Sequence, residues 1–311
     1  MRRLCASLMK HSIFLCLFLF VPLGILRNCR IYFCNGCWII SRDGKNVKIS
    51  RNHYSYVPEI ASNFYYFFNS VMEKHNGRSR DVDFSRPDYH LVRGYNKQLI
   101  RFPAMVESIY TIYQYINLSK FNKGSVVLDI VAYSGFTSIL FDEVVGEYGK
   151  VIAIEADPFN VECINDNFSC YNNRTGRSID LVNAAVWNYS GIIQISCEGN
   201  LGSHAAQLHG YCRANREYVK SITLDDLAEM FSLTRVDFIK CDIEGAESVI
   251  FDRPYFFERF RPRIVAEVHR VNGVLTSKEL RKTLEKLGYT CREVRQIGSR
   301  LPLMVCLPQS C

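Results

Sequence analysis

Three places in the chain set acids where a bound molecule could use them. Asp129 closes the apolar run Val126–Ile130, and a single glycine, Gly135, follows six residues later. That is not a phosphate-cradling G-x-G-x-x-G loop, which needs several glycines, and Asp129 would repel phosphate. A phosphate-free cofactor with positive charge suits it better. S-adenosylmethionine is one, with its sulfonium, amino acid and adenosine. Asp129 would attract its ammonium or order water around it, or would serve only as a helix cap. Glu155, 26 positions on, ends a second apolar run, and a carboxylate there offers two acceptor oxygens to a pair of ribose hydroxyls. The third place holds Asp242, Glu244 and Glu247 just after the run Val236–Cys241. Crowded carboxylates raise one another's pKa and favour one as proton acceptor. The same acids would also suit the favourable end of a helix dipole. Glu267 and His269, two apart on one strand, point to one side.

These residues need elements to hold them. From Ser125 onward short apolar strands alternate with helical patterns. Strands are expected at Val126–Ile130, Val151–Glu155, Ile179–Ala184, Ile192–Ser196, Val236–Cys241, Ile264–Val268 and Leu301–Leu307. Helices are expected at Gly135–Val145, Pro158–Phe168, Thr223–Met230 and Thr276–Leu287, the second with proline at its start and the last stopped by Gly288. The alternation implies an α/β fold with a mostly parallel, doubly wound sheet, helices on both faces, and a ligand at the carboxyl ends of the strands.

Several of these stretches together resemble the FkbM family of methyltransferases. They are VVLDI and AYSGFTSI on either side of Val131 in 126–139, GKVIAIEADPFN at 149–160, VNAAVW at 182–187, TLDDL at 223–227, VDFIKCDIEGAE at 236–247 and RPRIVAEVH at 261–269. The resemblance covers about half of the chain, and KCDIEGAE is its most specific part. It implies a Rossmann-like class I methyltransferase fold, S-adenosylmethionine as methyl donor and a hydroxyl acceptor on a sugar, polyketide or other metabolite. Carried onto this sequence, it implies that Asp129, Ala132, Tyr133 and Gly135 line the methionine end of the cofactor. Glu155 and Ala156 would take the ribose, Asn183, Ala184 and Ala185 would lie by the adenine, and Asp242 and Glu244 would approach the reacting methyl. The family carries glycine directly before the first-loop alanine. Here that position is Val131, which lacks glycine's freedom at positive φ.

Residues 1–40 form a basic, apolar segment, residues 41–120 an extension read as mostly helical, and residues 121–311 the methyltransferase domain. A helix is expected over Pro103–Ile116, from apolar residues at helical spacing. The first sixty residues hold nine Lys/Arg and only two acids, which accounts for the whole net charge of +7. The remainder is balanced, so no basic face for nucleic acid is expected. The apolar run Ile13–Leu26 is 14 residues long, short of the roughly 20 that span a bilayer. It admits three readings: a signal anchor, a cleaved signal, or a soluble amphipathic or buried segment. The domain is expected on the cytoplasmic side of a membrane or in the cytoplasm, where the cofactor is supplied, since the basic residues flanking the run do not settle its orientation. Cys34-Asn35-Gly36-Cys37 is a C-x-x-C without a second pair, read as a turn with two free thiols rather than a zinc or redox site. The later cysteines read as reduced core residues.

The expected reaction is methyl transfer to a hydroxyl oxygen of a sugar, lipid-linked or secondary-metabolite acceptor, with Asp242 or His269 taking the proton and Glu244 close by. A metal on Asp242, Glu244 and His269 is weighed, and none is expected, because acid clusters of this size also occur without one. Two rivals remain: a membrane-associated scaffold that lost catalysis, and a nucleotide-sugar or NAD enzyme, against which the missing glycine fingerprint argues.

Overall fold

The computed structural model describes residues 12–72, 80–197, 199, 204–205, 215–243, 245–251, 253–271 and 274–309. The chain divides into two compact units, Met1–Ile109 and Tyr110–Cys311.

In the first unit, Ser12 caps a helix over Ile13–Leu26 by accepting from the Leu15 amide at 3.2 Å. The helix runs on through Pro22 and Gly24, and buries Cys16, Phe20 and Gly24 while Phe14, Phe18, Ile25 and Leu26 stay exposed. Phe20 meets Trp38 edge-on at 5.3 Å. No helix among the described residues is long and apolar enough to cross a membrane. Strands Arg30–Cys34, Cys37–Arg42 and Lys45–Ser50 follow as an antiparallel meander, with Asp81–Phe84 added parallel to the third. Their two-residue turns are Asn35-Gly36 and Asp43-Gly44, all four residues at positive φ, the backbone that matches the twist of paired strands. The C-x-x-C is therefore a hairpin tip, with Cys34 and Cys37 facing each other across it.

The expected mostly helical extension over 41–120 is not found. Two short helices, Val57–Ser62 and Phe64–Asn69, are followed by strands at Val71–Met72, Asp88–Val92 and Ile100–Phe102. The expected boundary at residue 40 falls inside the strand Cys37–Arg42. The apolar spacing after Pro103 misled, because Ala104, Met105 and Val106 are buried without being helical. The helix there, α1, covers Ile109–Ser119.

The second unit alternates as expected: β1 Val126–Ile130, α2 Phe136–Val145, β2 Lys150–Glu155, α3 Pro158–Thr175, β3 Asp180–Asn183, α4 Leu224–Met230, β4 Phe238–Cys241, α5 Glu247–Ile250, α6 Pro254–Phe260, β5 Arg263–Glu267, α7 Ser277–Lys286, β6 Tyr289–Arg295 and β7 Pro302–Pro308. The seven strands pair in the order β3-β2-β1-β4-β5-β7-β6. All are parallel except β7, which runs antiparallel to both of its neighbours. The middle strands β1, β2 and β4 are buried along nearly their whole length, as strands covered on both faces must be. A smaller sheet joins Ala185–Val186, Asn215–Ile222, Gly191–Cys197 and His204–Ala205. Asp157 caps α3 by accepting from the Phe159 amide, and Gly176 at φ 72° ends it, seven residues beyond the expected stop. The strand order reverses between β1 and β4, so right-handed crossovers put the helices of the two halves on opposite faces and open a crevice there.

Candidate functional site

The loop after β1 carries three alternate residues with left-handed backbone: Val131 at φ 65°, Tyr133 at 56° and Gly135 at 74°. Gly135 is required twice over. A Cβ there would also come within 2.6 Å of the Phe168 ring on α3. Its role is close packing of the helix start against α3. Valine at positive φ is a true outlier. Several contacts hold the loop in this shape. The Val131 and Ala132 amides both donate to the Ile154 carbonyl at 2.9 and 3.0 Å, and Lys240 Nζ donates to the Val131 carbonyl at 2.6 Å.

Asp129 is fully buried. One oxygen accepts from Ser138 at 2.6 Å and the other lies 3.5 Å from Lys240 Nζ. Burial pushes its carboxyl up despite the ammonium of Lys240 beside it. Asp129, Ala132, Tyr133 and Gly135 are all buried in and beneath the loop.

Glu155 at the tip of β2 is also buried, and its carboxylate binds main chain on both sides. Oε2 accepts from the Tyr133 amide at 2.8 Å, and Oε1 from the Ala156 and Asp157 amides at 3.0 and 2.8 Å. Burial raises it to about 7, against the pull of the Asp157 and Tyr133 amides. Glu155 therefore ties the β1 and β2 loops together as well as lying at the cleft.

The cleft, together with its open mouth, spans about 510 Å³ and has largely apolar walls. Val131 comes from the first loop, Glu155 from the end of β2 and Ala156 just after it, Ala184 and Trp187 from the segment after β3, and Ile243 from beyond β4. Four of the sequence-read cofactor residues, Val131, Glu155, Ala156 and Ala184, thus meet in one place. Asn183 does not line it. Its amide donates to the Glu155 carbonyl at 3.0 Å and it borders a neighbouring groove.

Just past the cleft, at the carboxyl ends of β4 and β5, His269 Nε2 lies 3.2 Å from Asp242 Oδ1, both residues nearly buried. Glu267 completes the group. It accepts from Tyr115 on α1 and from Gln296 Nε2, the latter at 2.6 Å. Crowding does not raise Asp242 as expected. Burial alone would, but His269 and Lys240 outweigh it and hold its carboxyl below the ordinary range. Glu267 is the group pushed up, to about 7, by burial and then by Asp242. Glu244 lies outside the described residues. Glu267 was read beside His269, but its partners Tyr115 and Gln296 escape a reading by motif, since they lie 152 and 29 residues from it in sequence.

Residues 129–291, just over half of the chain, match the family model of the methyltransferase FkbM domain. The chain belongs to the FkbM methyltransferase family. This FkbM methyltransferase uses S-adenosylmethionine as its methyl donor, and its α/β fold with the largely parallel seven-stranded sheet is that of the class I enzymes. Similar solved structures include an FkbM methyltransferase from Methylobacillus flagellatus KT, at 14% identity and TM-score 0.45, covering 63% of this chain and 50% of that one. A precorrin-6y C5,15-methyltransferase from Geobacter metallireducens GS-15 aligns at 19% identity and TM-score 0.39, covering 65% and 88%. An Aeropyrum pernix fibrillarin in complex with S-adenosyl-L-methionine aligns at 12% and 0.41, covering 89% and 97%. The family assignment rests on the domain match and not on these distant likenesses. No curated protein sequence matches this FkbM methyltransferase.

Proposed function

We propose that this methyltransferase acts on oxygen, at a hydroxyl of a sugar, lipid-linked or secondary-metabolite acceptor. The observation that carries the reading is the 3.2 Å approach of His269 Nε2 to Asp242 Oδ1 at the strand ends beside the cleft. A hydroxyl is a poor nucleophile until its proton is taken, and a carboxylate paired with an imidazole is suited to take it. S-adenosylmethionine, when bound, supplies the electrophilic methyl. The cleft fits such a cofactor: its apolar walls at Ala184, Ala185 and Trp187 suit an adenine, and the Glu155 carboxylate with Ala156 lies where ribose hydroxyls need acceptors. Asp129 acts as a positioning residue, through Lys240 and Ser138. In-line transfer needs donor and acceptor held in register, which a loop pinned by this many contacts favours.

The test has two steps. Calorimetric titration of the purified chain with S-adenosylmethionine should show saturable binding. A chain that folds and binds none would be a scaffold member of the family instead. Comparison of metabolites from a deletion strain and its parent, both fed methyl-labelled methionine, should then show loss of a labelled methyl ether or ester. Loss of only N- or C-methylated products would overturn the oxygen assignment.

We also infer that the helix Ile13–Leu26 lies on a membrane surface, with the catalytic unit on the cytoplasmic side where the cofactor is made. Its exposed Phe14, Phe18, Ile25 and Leu26 and the local excess of Arg and Lys support this.

A further inference from the structure

We propose that Asp242, Glu267 and His269 form a divalent-cation site that holds and orients the acceptor hydroxyl. This rests on the oxygen-acceptor reading above. One ligand atom from each residue lies within 4.8 Å of the other two. An ion about 2.0–2.2 Å from each ligand needs them at most about 4.4 Å apart, so a closure of a few tenths of an ångström completes the set.

Two buried acceptor oxygens at this group carry no hydrogen bond. Asp242 is 8% exposed, and its Oδ1 makes no hydrogen bond of acceptable geometry, although His269 Nε2 is close. Gln296 is 5% exposed. Its nitrogen donates to Glu267, and its Oε1, on the same amide, is buried with no hydrogen-bond partner. A buried acceptor left unmet is destabilising. Both are acceptors on residues of this group, beside two carboxylates, and a cation or a donor would suit them.

The surroundings are also those of a held ligand set. Tyr115 and Gln296 both bind Glu267 Oε1, which fixes that carboxylate and leaves its second oxygen for another partner. Such outer partners are what orient metal ligands. Two carboxylates and one imidazole suit manganese, iron(II) or zinc better than calcium. Three protein ligands leave positions open, and an acceptor oxygen at one of them would be oriented and made more acidic, with the second oxygen of Asp242, rather than the ligated imidazole, left to take its proton. The site differs from the one weighed from sequence in that Glu267 takes the place of Glu244.

The probe is Mn²⁺, titrated into the EDTA-treated full chain and followed by electron paramagnetic resonance and calorimetry. Manganese favours oxygen and imidazole, so the Cys34–Cys37 thiols do not compete. One saturable site per chain is expected. Glu267→Gln keeps the shape of the side chain and should weaken Mn²⁺ binding at least about tenfold, as should His269→Ala, while Gln296→Leu should weaken it about 10- to 100-fold through Glu267. S-adenosylmethionine binding and the circular dichroism spectrum should be unchanged in Glu267→Gln, which shows that the variant is folded. Absence of saturable binding by the wild type, or binding equal in Glu267→Gln and His269→Ala, overturns the proposal. The two readings fail separately. A chain that binds the cofactor but not Mn²⁺ loses only the cation site, and one that binds Mn²⁺ but never the cofactor loses the oxygen-methylation reading on which its role depends.

Discussion

Lys240 Nζ donates to the carbonyl of Val131 at 2.6 Å and stands 3.5 Å from Asp129 Oδ1, with both charged side chains almost completely buried. One side chain from β4 therefore holds the loop after β1 and compensates the acid at its root. Lys240→Met should remove both supports while keeping the volume. Removing one member of a buried pair costs about 3–5 kcal/mol, and protonation of Asp129 recovers part of that. We expect a loss of about 3 kcal/mol, or a melting temperature lower by roughly 6–12 °C. A melting curve matching the wild type would show that Lys240 does not support the loop.

Val131→Gly should tighten S-adenosylmethionine binding. At φ 65° the valine pays strain of about 1–3 kcal/mol, and its isopropyl group lines the cleft. Glycine relieves both, while its extra freedom in the unfolded chain offsets much of the gain in stability. The melting temperature should move little and the affinity should rise several-fold. Val131→Ala keeps a Cβ at positive φ and should recover less. Equal affinities in wild type and glycine variant would make Val131 a harmless occupant.

Cofactor affinity and stability should both depend on pH near neutrality through Glu155. Its folded pKa of about 7 stands above the ordinary value, so the folded state holds the proton more tightly than the unfolded chain. Its contribution to stability is complete below about pH 4.5 and fades as pH rises through about 7. Affinity should run the other way, since the ribose needs the ionised acceptor, and should fall as pH drops below 7. Titrations at pH 6, 7 and 8 decide it, and a flat profile would separate Glu155 from the ribose. Glu155→Ala should weaken binding by about 1–3 kcal/mol. Because the carboxylate accepts three main-chain amides, the same substitution should also lower the melting temperature, which a bare strand-tip residue would not do.

Phe14→Glu combined with Phe18→Glu should abolish binding of the full chain to anionic vesicles. Both rings are exposed, at 87% and 77%, so the fold should tolerate the change. Co-sedimentation at low and high salt is the measurement. Wild-type protein that stays in the supernatant at low salt would refute membrane docking.

Much of the catalytic unit was legible because its signals are local. Val126–Ile130 and Val236–Cys241 announce buried strands by unbroken apolar runs, and Pro158 and Gly288 punctuate helices. The first unit was misread although its signals were present. Asn35-Gly36 and Asp43-Gly44, each between short β-forming runs, are hairpin turns, yet the aromatic run at 64–68 drew the whole stretch toward helix. Strand β6 was missed because its polar alternation, with only Tyr289 and Cys291 well buried, looks like loop.

By itself the sequence determined most of the alternation of strands and helices in the second unit, the acids at the strand ends and the family that their spacing marks, because all of these depend on residue type and short-range spacing. Tertiary structure alone decided what those acids do. Asp129 turned inward to Ser138 and Lys240, and Glu155 became a clasp on two loops. Glu267 joined Asp242 and His269, held there by Tyr115 from α1, 152 residues away in sequence. Pairings across such distances arise from parallel strands brought side by side through crossover helices, and burial then sets which carboxyl keeps its charge. Neither the pairing nor the burial is written in any local stretch of the chain.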